Sequence, residues 1–281
     1  MRSMNVLGAF VLVAGVASPI ALDAGRRESS KVVADAAPKV ELASADALVV
    51  AWRGDLPLVI SAPHGGRARV AGGAGRRQGV LVRDEDTAEL ALLVAQRVID
   101  KLGAKPYVVV AQFSRRDADA NRPADEAFED EVSGAHWRAY HQALRTAVDE
   151  CRARFGEALL VDLHGQARQP EVVARGTRDG RTMARLGARL GDAWLLGEKA
   201  LDRRLAARGH KVVPEPLEDG ARAKETLFEG GHIVATYGAT SPDGIDAMQL
   251  EFGRQRDDLR GLARDLGDSL AEFLPEAGYL D

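Results

Sequence analysis

The chain has 281 residues, and its 38 basic and 42 acidic side chains leave a formal charge of −4. With 46% hydrophobic and 28% charged residues it is excluded from intrinsic disorder, and its charge balance excludes a strongly basic nucleic-acid binder. Cys151 is the only cysteine, which excludes a disulfide scaffold but not a metal held by histidines and carboxylates.

Residues 1–24 read as an export signal: Arg2 supplies a positive start and Val6 to Val16 an apolar run. A cut after Ala24 leaves Leu22 at the −3 position, larger than the residue usual there. The run is too short, and too broken by Pro19, to span a membrane. The expected destination is therefore periplasmic or secreted, with no membrane span once the signal is removed. Residues 25–46 are polar, Ala-rich and aperiodic, and read as a linker. The body, residues 47–281, has the size of one α/β domain.

Within the body, Leu48–Trp52 and Leu58–Ala62 are apolar runs separated by Gly54-Asp55-Leu56-Pro57, the pattern of two strands and a turn. A helix is predicted from Asp86 to Leu102, where Leu90, Leu93, Val94 and Val98 keep helical spacing and Gly103 closes it. Tyr107–Val110 is a β-branched strand, and Gly134–Phe155 a helix with Trp137, Tyr140, Leu144 and Val148 on one face. Leu159–Leu163 reads as a buried strand. Helical stretches near Met183–Leu190 and Gly197–Arg208 come next. Strand-like runs follow at Val212-Val213, Ile233–Thr236 and Ala247–Phe252, and the last helix covers about Asp257 to Leu274. No internal repeat occurs, and Gly65 to Gly79 reads as a long loop. Doubly apolar strands interleaved with helices predict an α/β fold with a mixed, mostly parallel central sheet and helices on both faces.

Open α/β sheets gather catalytic groups at the carboxyl ends of their strands. His64 follows the strand ending at Ala62, His164 follows Leu159–Val161, and Glu251 closes Met248-Gln249-Leu250. Asp84, Glu85 and Asp86 stand just before the first long helix. Two histidines and one carboxylate, with water in a fourth position, make a catalytic zinc site, and a separate carboxylate serves as general base. Asp84 to Thr87 also fits a plain helix start with acidic first-turn residues. Glu251 in a buried strand needs a partner. His136 and His141, five apart on a helix, read as structural, and His210 as a solvated loop residue.

In order along the chain, these residues resemble the N-formylglutamate amidohydrolase family. The blocks are Leu58–Gly66 with its Pro63-His64, Asp84–Leu90, Ser114-Arg115 with Asp119-Ala120-Asn121-Arg122-Pro123, Leu160–Gly165, Phe228–Gly238, and Gln249–Glu251. The resemblance implies a zinc carboxypeptidase-like, phosphorylase/hydrolase-like fold. It implies that His64, Asp84 and His164 hold Zn²⁺, with Glu85 and Asp86 close enough to replace Asp84. Glu251 would deprotonate water and protonate the leaving amine. Arg115 would stabilise an oxyanion, and Asn121 with Arg122 would grip a substrate carboxylate. His232 stands where the family has an aromatic residue.

The implied activity is zinc-dependent hydrolysis of an N-acyl amino acid, or a short peptide, with a free carboxylate; N-formyl-L-glutamate is the reference substrate. An export signal fits poorly with a cytosolic step, and residues 166–216 match no family block. The alternatives are an exported carboxypeptidase-like metallopeptidase and a non-catalytic exported binding protein.

Overall fold

The computed structural model describes residues 46–195, 197–215, 223–254 and 258–280. The expected export signal, and all of the expected linker except Asp46, lie outside them. Among the described residues the apolar runs become β1 (Val49–Trp52), β2 (Leu58–Ala62), β3 (Tyr107–Ala111), β4 (Leu159–Gln166), β5 (Val172–Gly176), β6 (Lys211–Val213) and β7 (Asp246–Gly253). They form one sheet in the order β1-β3-β2-β4-β7-β5-β6. The pairs β3–β2, β2–β4, β4–β7 and β5–β6 are parallel; β1–β3 and β7–β5 are antiparallel. The mixed, mostly parallel sheet is therefore as expected. Strands β2 and β3 are buried at every position, as continuous apolar runs must be when helices cover both faces.

The helices are α1 (Thr87–Leu102), α2 (Ala124–Ala127), α3 (Glu131–Phe155), α4 (Ala184–Leu190), α5 (Asp192–Leu195), α6 (Leu201–Ala207), α7 (His232–Tyr237) and α8 (Leu259–Glu276). On one face, Leu90, Val94 and Val98 of α1 join Leu262, Leu266 and Leu270 of α8 and the side chains of Val161, Leu163 and Leu250. On the other, Tyr140, Leu144 and Val148 of α3 and Ile233 and Val234 of α7 cover Val59, Leu160 and Ala247. Side chains alternate along a strand. Asp162 and His164 of β4, and Gln249 and Glu251 of β7, therefore share the face covered by α3 and α7.

Two segments depart from the sequence expectation. Ile233–Thr236, strand-like in its β-branching, lies within helix α7, because Ile233, Val234 and Tyr237 fall on one buried helical face. Strand β5 was not expected at all. It carries Arg175 at 1% exposure, bonded through Nε to Glu225 (2.9 Å) and through Nη1 to Asp202 (3.0 Å). A buried charge breaks the apolar pattern that marks a strand, and its partners lie 27 and 50 residues away in sequence.

Candidate active site

The loop leaving β2 carries His64 into the interior at 1% exposure, and the Asp84 N–H closes on the His64 carbonyl at 3.2 Å. Residues 65–83 thus form an excursion that returns Asp84 beside His64. Gly65 is required at its start, since a Cβ there would collide with the Ala88 backbone nitrogen. His164, at 2% exposure, enters from β4. Asp84 Oδ2 lies 3.2 Å from His64 Nδ1 and 3.3 Å from His164 Nδ1, and also accepts the Gly165 N–H at 3.1 Å. One ligand atom from each of the three residues lies within 4.8 Å of the others, a group able to hold a metal ion.

The far nitrogens of both rings are engaged. His64 Nε2 donates to Asp119 Oδ1 at 2.6 Å, and His164 Nε2 donates to Asp162 Oδ2 at 2.7 Å. Such carboxylate partners fix the ring orientation and leave the other nitrogen's lone pair for a cation. Asp119 is itself held by Arg115 Nε (2.9 Å) and the Asn121 N–H (3.0 Å), and Asp162 by Ser61 Oγ. Neither aspartate was assigned a role from sequence. A same-face carboxylate two residues before His164 was the available signal for Asp162.

Of the three consecutive acidic residues, only Asp84 joins the histidines. Glu85 is 57% exposed and faces Arg83, while Asp86, in the left-handed region at φ 61°, faces Arg67. Burial pushes the Asp84 carboxyl upward, but His64 and His164 outweigh it and hold it well below the usual carboxylate range. Burial likewise opposes charge on His164, yet Asp162 and Asp84 raise its pKa well above the ordinary value.

Glu251 stands directly across from His164 in the β4–β7 register. Burial raises its pKa to about 7, aided by Asp84 and opposed by His164, His64 and Arg115. Its Oε1 accepts from Gln249 Nε2 at 2.8 Å, and Gln249 Oε1 in turn accepts the Gly231 N–H at 2.7 Å. Arg115 reaches Asp84 Oδ1 at 3.4 Å as well as Asp119. Asn121 borders the site: its Oδ1 accepts the Ile233 N–H at 2.8 Å, and its Nδ2 makes a long 3.5 Å contact to Gln249 Oε1. Arg122 is not drawn in. It is 49% exposed and paired with Glu126 at 3.2 Å.

The remaining histidines separate as follows. His141 bonds Tyr237 Oη (2.8 Å) and the Ala120 carbonyl (2.9 Å), and burial lowers its pKa to about 4. His136 is half-buried on α3 with its ring near Phe113. His210 is a loop residue but not a purely solvated one, because its Nε2 meets Asp265 Oδ2 of α8 at 3.0 Å.

Comparison with known proteins places this site in a family. The family model for N-formylglutamate amidohydrolase matches residues 129–256, the stretch that holds His164 and Glu251. An N-formylglutamate deformylase of Pseudomonas putida is 30% identical over 242 residues, covering 72% of this chain and 82% of the relative. The chain belongs to the N-formylglutamate amidohydrolase family. A deformylase of Pseudomonas aeruginosa is 26% identical over 236 residues with the same coverage. The crystal structure of N-formylglutamate amidohydrolase from Ralstonia eutropha JMP134 superposes with a TM-score of 0.58 at 19% identity. It covers 82% of this chain and 99% of that one, and at this identity the likeness concerns the fold alone. For this family member the match spans most of the body, as the ordered blocks implied.

Proposed function

We propose that this protein is a zinc-dependent amidohydrolase that releases formate from N-formyl-L-glutamate or a close acyl amino acid. One observation carries the reading. His64 Nδ1 and His164 Nδ1 converge on Asp84 Oδ2 with their far nitrogens held, and Glu251 stands across from His164. The donor set suits zinc. Ligand atoms around a tetrahedral ion with bonds of about 2.0–2.1 Å sit roughly 3.3–3.4 Å apart, and the Asp84 contacts measure 3.2 and 3.3 Å. Three protein ligands also leave the open position of a catalytic site. Bound there, zinc supplies the positive charge that polarises an amide carbonyl and acidifies water.

The chain's own residues perform the remaining work. Glu251 takes a proton from the attacking water on Oε2, since Oε1 is occupied by Gln249, and delivers it to the leaving nitrogen. Arg115 presents a fixed positive charge where the carbonyl oxygen becomes negative. Asn121 and Arg122 are the proposed contacts of the substrate carboxylate. The long Asn121 contact to Gln249 is easily exchanged, and so is the Arg122–Glu126 pair, because exposed pairs contribute at most about 1 kcal/mol.

The test is formate release from N-formyl-L-glutamate by purified protein given one equivalent of zinc. Release that stops with a chelator and returns with zinc is the expected result. Protein that holds zinc yet releases formate from no N-formyl amino acid would sink the substrate assignment and favour peptide cleavage. We also propose that the enzyme acts outside the cytoplasm, on the strength of the signal-like residues 1–24. Activity is expected in the periplasmic or secreted fraction of cells expressing the full chain; activity confined to the cytosol would reject that destination.

A further inference from the structure

N-Formyl-L-glutamate carries two carboxylates, and a selective site needs a second cation beyond the one that holds the α-carboxylate. Arg122 is assigned above to the first carboxylate, and other arginines near the site are engaged: Arg69 by Asp117, Arg76 and Arg115 by Asp119. Arg178 differs. Among the described residues it is the one half-buried arginine whose guanidinium has no acidic partner, hydrogen bond or ring contact.

Its placement is built rather than incidental. Arg178 and Asp179 both occupy the left-handed region, at φ 53° and 55°, which residues bearing side chains rarely adopt. Buried Glu225 holds that turn, accepting from the Thr177 N–H (2.6 Å), Thr177 Oγ1 (2.6 Å) and the Asp179 N–H (3.0 Å). Glu225 is neutralised in turn by Arg175. Persisting backbone strain of this kind concentrates at functional sites.

The turn also lies beside the catalytic groups. Gly176 pairs with Gln249 in the β5–β7 register, and the Arg178 N–H donates to the Glu229 carbonyl at 2.7 Å. Two residues further, the Gly231 N–H donates to Gln249 Oε1, whose amide holds Glu251. Two residues of extended chain span at most about 7 Å, so the Arg178 backbone stands close to Gln249. The charge of Arg178 is also felt by His232 at the start of α7. Burial, then the charge of Arg178, lowers the His232 pKa, while Asp119, Asp125 and Glu126 act in the opposite direction.

We propose that Arg178 recognises the side-chain carboxylate of a dicarboxylic acyl amino acid; the assignment rests on the amidohydrolase reading above. It makes the enzyme selective for acyl amino acids with a glutamate-like side chain over neutral ones, and a site built for a charged partner rejects the neutral analogue. The test compares kcat/KM for N-formyl-L-glutamate and N-formyl-L-glutamine in wild type, Arg178→Ala, Arg178→Lys and Arg178→Gly. Glycine accepts the left-handed backbone, so Arg178→Gly removes the charge without endangering the turn. For both Arg178→Ala and Arg178→Gly the glutamate substrate is expected to lose roughly 10- to 100-fold while the glutamine substrate stays within about twofold. Arg178→Lys should recover part of the loss. Calorimetric binding of L-glutamate and L-glutamine supplies a readout without turnover: the wild type prefers glutamate and the Ala and Gly variants do not. Equal losses on both substrates, or an undiminished preference for glutamate, overturn the assignment while leaving amidohydrolysis standing. Failure of the wild type to hydrolyse any N-formyl amino acid overturns the underlying reading and this assignment with it.

Discussion

Replacing Glu251 by Gln is expected to lower formate release by about 10²- to 10⁴-fold while leaving the metal content unchanged. The substitution keeps the shape of the side chain and keeps an oxygen for Gln249 Nε2 to donate to, so the strand and its neighbours are undisturbed. What is lost is the basic oxygen that accepts a proton from water. Glu251 is not among the three residues that converge to hold a metal, so zinc retention separates loss of the base from loss of the site. The pH dependence follows from the same residue. Burial raises Glu251 to about 7, and a base must be ionised to act, so activity rises with pH as Glu251 deprotonates. A cation held by His64, Asp84 and His164 favours the carboxylate, which moves the midpoint of that acid limb to 7 or below. An active Glu251→Gln enzyme, or an acid limb that persists unchanged in that variant, would remove Glu251 from the mechanism.

The residues that could be read from sequence are those whose position along the chain already determines their place in space. His64, His164 and Glu251 each end an apolar run, and strand ends of a parallel sheet face one edge. Asp84 could not be separated from Glu85 and Asp86, because the choice depends on a closure between the Asp84 N–H and the His64 carbonyl, twenty residues apart. Asp119 was visible only as one of several acids near the arginines; its bond to His64 Nε2 joins positions 55 apart. Arg122 shows the opposite difficulty. Its adjacency to Asn121 suggested a common task, yet Asn121 turns toward Gln249 and Ile233 while Arg122 turns to Glu126. Strand β5 was hidden because Arg175 becomes acceptable in a buried strand only once Asp202 and Glu225 arrive from distant segments.

Metal binding near pH 7 is expected to release protons, and the number released identifies which groups face the ion. Asp84 is held well below the usual carboxylate range and is already ionised, so it contributes none. His164 is held protonated by Asp162 and Asp84, and a metal can take its Nδ1 only after that proton leaves. Glu251, near its midpoint at about 7, loses part of a second proton as a cation arrives beside it. Zinc titrations by calorimetry in buffers of different ionisation enthalpy should therefore report the release of at least one proton, with apparent affinity rising as pH rises. Glu251→Gln should lower the count. His164→Ala removes a ligand and with it about 2.5–4 kcal/mol of binding, a quarter of a typical four-ligand zinc site, or roughly 10²- to 10³-fold in affinity. Asp119→Asn keeps all three ligands but weakens the hold on His64 Nε2, so its loss should be smaller, roughly 10- to 100-fold. The order His164→Ala worse than Asp119→Asn worse than Glu251→Gln distinguishes ligand, orienting partner and base. Zinc affinity unaffected by His164→Ala, or a proton count of zero, would place the ion elsewhere in the chain.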